Sequence, residues 1–212
     1  MRNQTPVTRR LMHMCLVLML LGAVTAMGCR ATTRDYAPTD TIHYDASYDF
    51  SDKNKIVEAL TESLLNAHHS PIANRSERPI VVIYDVANRT SEHISTELIT
   101  DDIRQRILFA GKASFVNRVQ RDAIQRELGY QYGGNVAPET RAERSRQIGA
   151  EYMITGTLRS ITKQEPRQIR LKKRKLQYYS LTLELTDLET GLVEWADSVE
   201  IVREEAKPFV GW

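Results

Sequence analysis

The sequence predicts one α/β domain: a mixed β-sheet packed by helices, with a βαβ unit followed by a C-terminal antiparallel meander. Three observations carry this. Residues 79–88, PIVVIYDVAN, hold a nearly continuous apolar run, the pattern of a strand buried on both faces. A helical period follows, then a second short apolar run at residues 113–117, so two parallel strands should flank a right-handed crossover. Residues 178–188, YYSLTLELTDL, alternate apolar and polar, the period of a half-buried strand.

The chain opens with an address. Arg2, Arg9 and Arg10 precede the apolar run from Leu11 to Ala26, and no acid occurs before Cys29. That is the layout of a secretory signal. A membrane-spanning helix needs roughly 20 apolar residues; this run is shorter and contains His13. Gly28 and Cys29 resemble the end of a bacterial lipoprotein signal, in which the cysteine carries the lipid. An uncleaved anchor and plain secretion are the alternatives. Arg30 rather than Asp follows the cysteine, which in the sorting logic of such signals favours the outer membrane. The expected division is residues 1–28 as signal peptide, 29–50 as a short tether and 51–212 as the globular domain.

The formal net charge is +2, but residues 1–28 hold three Arg and no acid, so the remainder is 26 − 27 = −1. Nothing in that balance asks for nucleic acid. The two cysteines are Cys15, which leaves with a signal, and Cys29. A domain without disulfides must hold together by packing alone.

In chain order, residues 30–50 are polar and lack periodicity. A helix is expected from about Ser51, with Ile56, Val57, Leu60, Leu64 and Leu65 on one face. SPIANRSERP then breaks it, and His68 and His69 sit near its positive-charge-favouring end rather than as a chelate. After the strand at Val81, Val82, Ile83 and Val86, residues Asn88 to His93 read as a polar loop at a strand's C-terminal end, a position that often carries function. The next helix should bury Leu98, Ile99, Ile103, Ile107 and Leu108 and stop at Gly111. A further helix after residue 117 should bury Val119, Ala123, Ile124 and Leu128, and a short basic helix over 139–149 should carry Arg141, Arg144 and Arg146. In the strands that follow, Tyr152, Ile154 and Leu158 share a face, as do Leu181, Leu183 and Leu185, and Val193, Trp195, Val199 and Ile201. Gly191 supplies the positive φ of the turn between the last two. Asp197 falls in the apolar phase, so a bulge or strand end is expected near it. Residues 167–175, RQIRLKKRK, read either as a solvated hairpin tip or as a basic finger for an acidic surface.

No GxSxG, HExxH, Walker A or GxGxxG pattern occurs, so the residues ask for no enzyme, metal, cofactor or small-molecule substrate.

Several segments resemble a known family, the LpoB-type lipoprotein activators of penicillin-binding proteins. They are Asn88-Arg89-Thr90-Ser91, Ile99-Thr100, Gly111-Lys112 before Phe115, residues 150–156 (AEYMITG) and residues 185–195 (LTDLETGLVEW). His43-Tyr44-Asp45 fits the start of the family's globular part. The resemblance covers most of residues 42–200 together with the lipoprotein signal, and it shares its fold-level pattern with TolB N-terminal domains and curli-secretion lipoproteins. It implies a lipoprotein of the outer membrane, acylated (palmitate, for example) on Cys29 and facing the periplasm. Such a protein binds a class A penicillin-binding protein, a bifunctional peptidoglycan synthase, and stimulates cell-wall synthesis, and so cell shape, without chemistry of its own. On this reading Asn88, Arg89, Thr90, Arg141, Arg144 and Arg146 are the expected partner contacts. The alternative is a structural or secretion-associated outer-membrane lipoprotein that self-assembles. The short tether and the basic 167–175 stretch depart from the best-known type.

Overall fold

Asp49 starts the first helix by satisfying its unpaired backbone donors. Its carboxylate accepts from the Ser51 and Asp52 amides while the Asp52 side chain reaches back to the Asp49 amide, a reciprocal capping box. In this computed structural model, residues 33, 35–37, 40–142, 148–165 and 172–208 are described. Two compact units divide the chain, residues 1–37 and 38–212. Of the first, only irregular backbone at residues 33 and 35–37 is described, and Cys29 lies outside the described residues.

The second unit holds the fold. Helix α1 (Phe50–Asn66) buries Ile56, Val57, Leu60 and Leu64 as the periodicity requires. A four-residue helix, α2 (Pro71–Asn74), follows within the expected break; Pro71 suits its first turn and Ile72 is fully buried. Strand β1 (Ile80–Ile83) comes next, then β2 (Ala87–Arg89). The loop expected from Asn88 thus begins as a strand. Helix α3 (Glu97–Phe109) buries Ile99, Ile103 and Ile107, and Gly111 stops it with φ 66°. Strand β3 (Ser114–Phe115) and helix α4 (Arg121–Tyr130) lead through a π-helical turn, Gln131–Asn135, and a 3-10 turn, Pro138–Thr140. Three long strands complete the unit: β4 (Tyr152–Gln164), β5 (Lys172–Asp187) and β6 (Val193–Pro208).

The sheet runs β3-β1-β4-β5-β6, with β2 beside β4 beyond the end of β1. β1 is parallel to both β3 and β4, as the βαβ reading requires, and β4, β5 and β6 form the antiparallel meander. One sheet face packs against α1 and α3. Ile154, Leu158, Leu181, Leu183, Leu185 and Trp195 meet Ile56, Leu60, Ile99 and Ile103 in a single core. Burying each such side chain contributes about 1.5–3 kcal/mol.

Several expectations are corrected. Leu98 and Leu108 are exposed, because the core touches only the narrow stripe through Ile99, Ile103 and Ile107. Helix α4 buries nothing fully: Val119 and Ile124 are exposed, and Ala123 and Leu128 are half-buried. Its sequence is amphipathic, but it contributes no residue to the core that α1, α3 and the sheet share. Of the helix expected over 139–149, the described residues up to 142 hold only the 3-10 turn, with Arg141 already extended at φ −69°, ψ 142°, and residues 143–147 lie outside the described residues. Val193 is exposed, and the ladder irregularity lies at Leu185/Thr186, opposite the start of β6, rather than at Asp197. Asp197 instead stays in the ladder opposite Leu183 and accepts a hydrogen bond from Ser63 of α1.

The chain just before α1 is also packed. Ala46 is buried, and Tyr48 meets Tyr179 edge to face at 5.4 Å between ring centroids. Arg203 of β6 joins this segment to the helix, donating to Asp49 at 2.8 Å, to the Ser47 carbonyl at 3.1 Å and to Asp52.

Candidate functional site

The polar loop after β2 is built around two side chains. Asn88 Oδ1 accepts from the Thr90 amide at 2.9 Å and from Thr90 Oγ1 at 2.7 Å, an Asx-type turn. Its Nδ2 donates to the carbonyls of Glu92 and Ile94 at 3.0 and 3.3 Å. Asn88 and Thr90 therefore shape the loop with their own polar atoms.

Glu92 ties that loop to the meander, a role its place in a polar stretch did not disclose. Tyr179 donates to Glu92 Oε1 at 2.6 Å, Gln177 donates to the same oxygen at 3.3 Å, and the Tyr48 amide donates to Oε2 at 3.3 Å. Gln177 is fully buried, so its amide needs this partner. Burial, with the Glu92 hydrogen bond, pushes the Tyr179 hydroxyl well above its usual range, so it stays a donor.

Arg89 is displayed rather than consumed. It pairs in register with Arg159 on the adjacent parallel strand, so both project from the sheet face turned away from α1 and α3. Beside them a shallow hollow is lined by Thr155, Gly156, Thr157, Arg159, Thr182 and Glu184. The floor is threonine-rich, with one cation and one anion at its rim, an arrangement suited to a polar protein surface. Arg159 was missed in the sequence because only the β2–β4 pairing, which joins residues far apart in the chain, brings it to Arg89.

Arg141 is engaged locally. Its Nε donates to the Val136 carbonyl at 2.9 Å, and its guanidinium lies 5.8 Å from the Tyr132 ring centroid. Arg144 and Arg146 lie outside the described residues, as do residues 166–171 of the basic stretch. Among the described residues no group of His, Cys, Asp and Glu side chains is placed to hold a metal ion. No described helix is long and apolar enough to cross a membrane.

Comparison with known proteins places this arrangement in a family. Residues 52–201 match the family described as Peptidoglycan-synthase activator LpoB. No curated protein sequence matches significantly. Among solved structures, the chain is similar to the LpoB C-terminal domain from Salmonella enterica, with 17% identity, 71% of this chain and 98% of that one covered, and a TM-score of 0.44. The LpoB C-terminal domain from Escherichia coli gives 15% identity, the same coverages and a TM-score of 0.43. With the family match spanning the helix-packed sheet and the loop that displays Arg89, the chain belongs to the family of LpoB peptidoglycan-synthase activators.

Proposed function

We propose that this protein is a non-enzymatic outer-membrane lipoprotein, anchored through acylated Cys29 and facing the periplasm, that binds a class A penicillin-binding protein and raises its activity. The observation that carries the reading is the family match across residues 52–201. The site supports it in kind. A loop stiffened by Asn88, Thr90 and Glu92 holds Arg89 outward, and a planar guanidinium on a rigid mount is suited to bidentate contact with an acidic partner surface. Arg141, Arg144 and Arg146 are proposed as a second contact.

The test is a binding and rate assay with a class A synthase from the same envelope. The purified chain should form a complex with it and raise its transpeptidase rate. Arg89→Ala should weaken binding about tenfold, the scale of a displayed interface arginine. If no synthase in the envelope binds the chain, the proposal fails. For the anchor, Cys29→Ser should release the protein from membranes; continued retention would mean an uncleaved signal.

A further inference from the structure

The sheet face turned away from α1 and α3 carries a charge pattern that the synthase reading leaves unexplained. Across β4, β5 and β6 the residues of this face fall into rows set by the ladder register. Lys163, Leu176 and Glu204 form one row; Ile161, Tyr178 and Val202 the next. Arg159, Ser180 and Glu200 follow, and then Thr157, Thr182 and Ser198. The β4 side is therefore basic, the β6 side acidic and the middle apolar or small. Ile161 is 57% exposed, Val202 62% and Leu176 44%, so an exposed apolar row crosses the face between the charged rows.

We infer that this face pairs with the same face of a second copy of the chain. Consider a two-fold axis running along β5 between two such faces. It leaves each row at its own level but exchanges left and right. Arg159 then meets Glu200 of the second copy, Lys163 meets its Glu204, and Ile161 meets its Val202. Tyr178 lies on the axis and meets itself. Within these four rows every charged pair is thus of opposite sign and the rest are apolar or small hydroxyl pairs, the self-complementarity that a two-fold interface requires, while Glu184 of the next row falls on the axis at the rim. An interface with an unrelated partner has no need of this balance.

The local contacts suit the arrangement. Glu200 accepts a hydrogen bond from Tyr178, which raises the tyrosine pKa. Glu204 faces Arg174 of the neighbouring strand at 3.4 Å and keeps an exposed side chain. Thr157, Thr182 and Ser198 are small enough for two sheets to approach at about 10 Å, the usual face-to-face spacing. Three strands over about seven residues span about 15 Å by 23 Å, so the pair covers on the order of 700 Å² in all, the size of a small, weak and reversible contact. The inference depends on neither the lipid anchor nor the synthase.

The experiment is light scattering of the full chain in mild detergent over a concentration series. The wild type should pass reversibly from monomer to dimer. Arg159→Glu opposes two acids at each of two symmetric positions and should weaken the dimer at least tenfold; Glu200→Arg should do the same with two bases. The double variant restores opposite signs and should return to near wild-type association. Circular dichroism checks that each chain is folded. A monomeric wild type at every concentration overturns the inference, as do single variants that dimerise normally or a double variant that does not recover. Independently, Tyr178→Cys in the otherwise unaltered chain should be captured as a dimer by a short bis-maleimide, above the wild-type background. Failure of that capture also overturns it.

Discussion

Arg203→Met is the sharpest test of what holds the start of the domain to its last strand. The Arg203 side chain is only 11% exposed and serves Asp49, Asp52 and the Ser47 carbonyl together. Asp52 has a fully buried side chain. Burial pushes its pKa up despite the Arg203 charge beside it, so the arginine is what makes the anion tolerable there. Methionine keeps much of the length and removes the charge, leaving two carboxylates facing each other. Removing one partner of a buried pair typically costs about 3–5 kcal/mol. The lower end applies because the Asp49 side chain is 23% exposed and keeps its bonds from Ser51 and His43. At about 2–4 °C per kcal/mol for a domain of this size, Tm should fall by roughly 6–12 °C. Adding Asp52→Asn should restore at least about a third of that loss, because the uncompensated charge is gone. Differential scanning calorimetry at neutral pH measures all three. A fall below about 2 °C for the single variant, or simple additivity in the double, would refute the reasoning.

Two further outcomes follow from the same structure. Burial acts against ionisation of Asp49, but hydrogen bonds from Arg203, Ser51 and His43 outweigh it and hold the carboxyl below the usual 3.8. A depressed native pKa gives stability that is present above the unfolded value and lost as pH falls through the native one. Asp49→Asn, which keeps a capping side chain, should therefore be less stable than wild type at neutral pH, with the gap closing below about pH 4 in urea titrations. Gly156→Ala should lower Tm: an added Cβ would sit 2.6 Å from Leu183 Cδ2 and 3.0 Å from Val86 Cγ2, both in the buried core. Overpacking costs about 1–3 kcal/mol, and an unchanged or raised Tm would show that the core yields there.

Much of this fold could be read before any coordinates. Leu181, Leu183 and Leu185 announce their face because a strand's period of two leaves no ambiguity once one side is buried. Ile56, Val57, Leu60 and Leu64 do the same at helical spacing. The errors share a cause. Leu98, Leu108 and Ile124 lie on apolar helix faces, and periodicity identifies a face without saying whether anything packs on it. Asn88, Arg89 and Thr90 were legible as a polar loop, but only the structure separates the two that build it from the one it displays. Glu92 and Arg159 were not legible at all. Each acts through a partner far along the chain: Tyr179 at hydrogen-bond distance for one, the parallel register with Arg89 for the other.

The contacts of Tyr48 and Arg203 also define a path for mechanical load. A pull on the chain ahead of residue 43 reaches α1 through the His43–Asp49 bond, the Tyr48–Tyr179 edge contact and the Arg203 bonds to Ser47 and Asp49. Those bonds join separate parts of the chain side by side, so they would bear tension together rather than peel one at a time. Glu92 holds both the Tyr48 amide and the Tyr179 hydroxyl, which places the loop displaying Arg89 on the same path. Force on the N-terminal segment and the posture of that loop are thereby mechanically coupled through a single carboxylate.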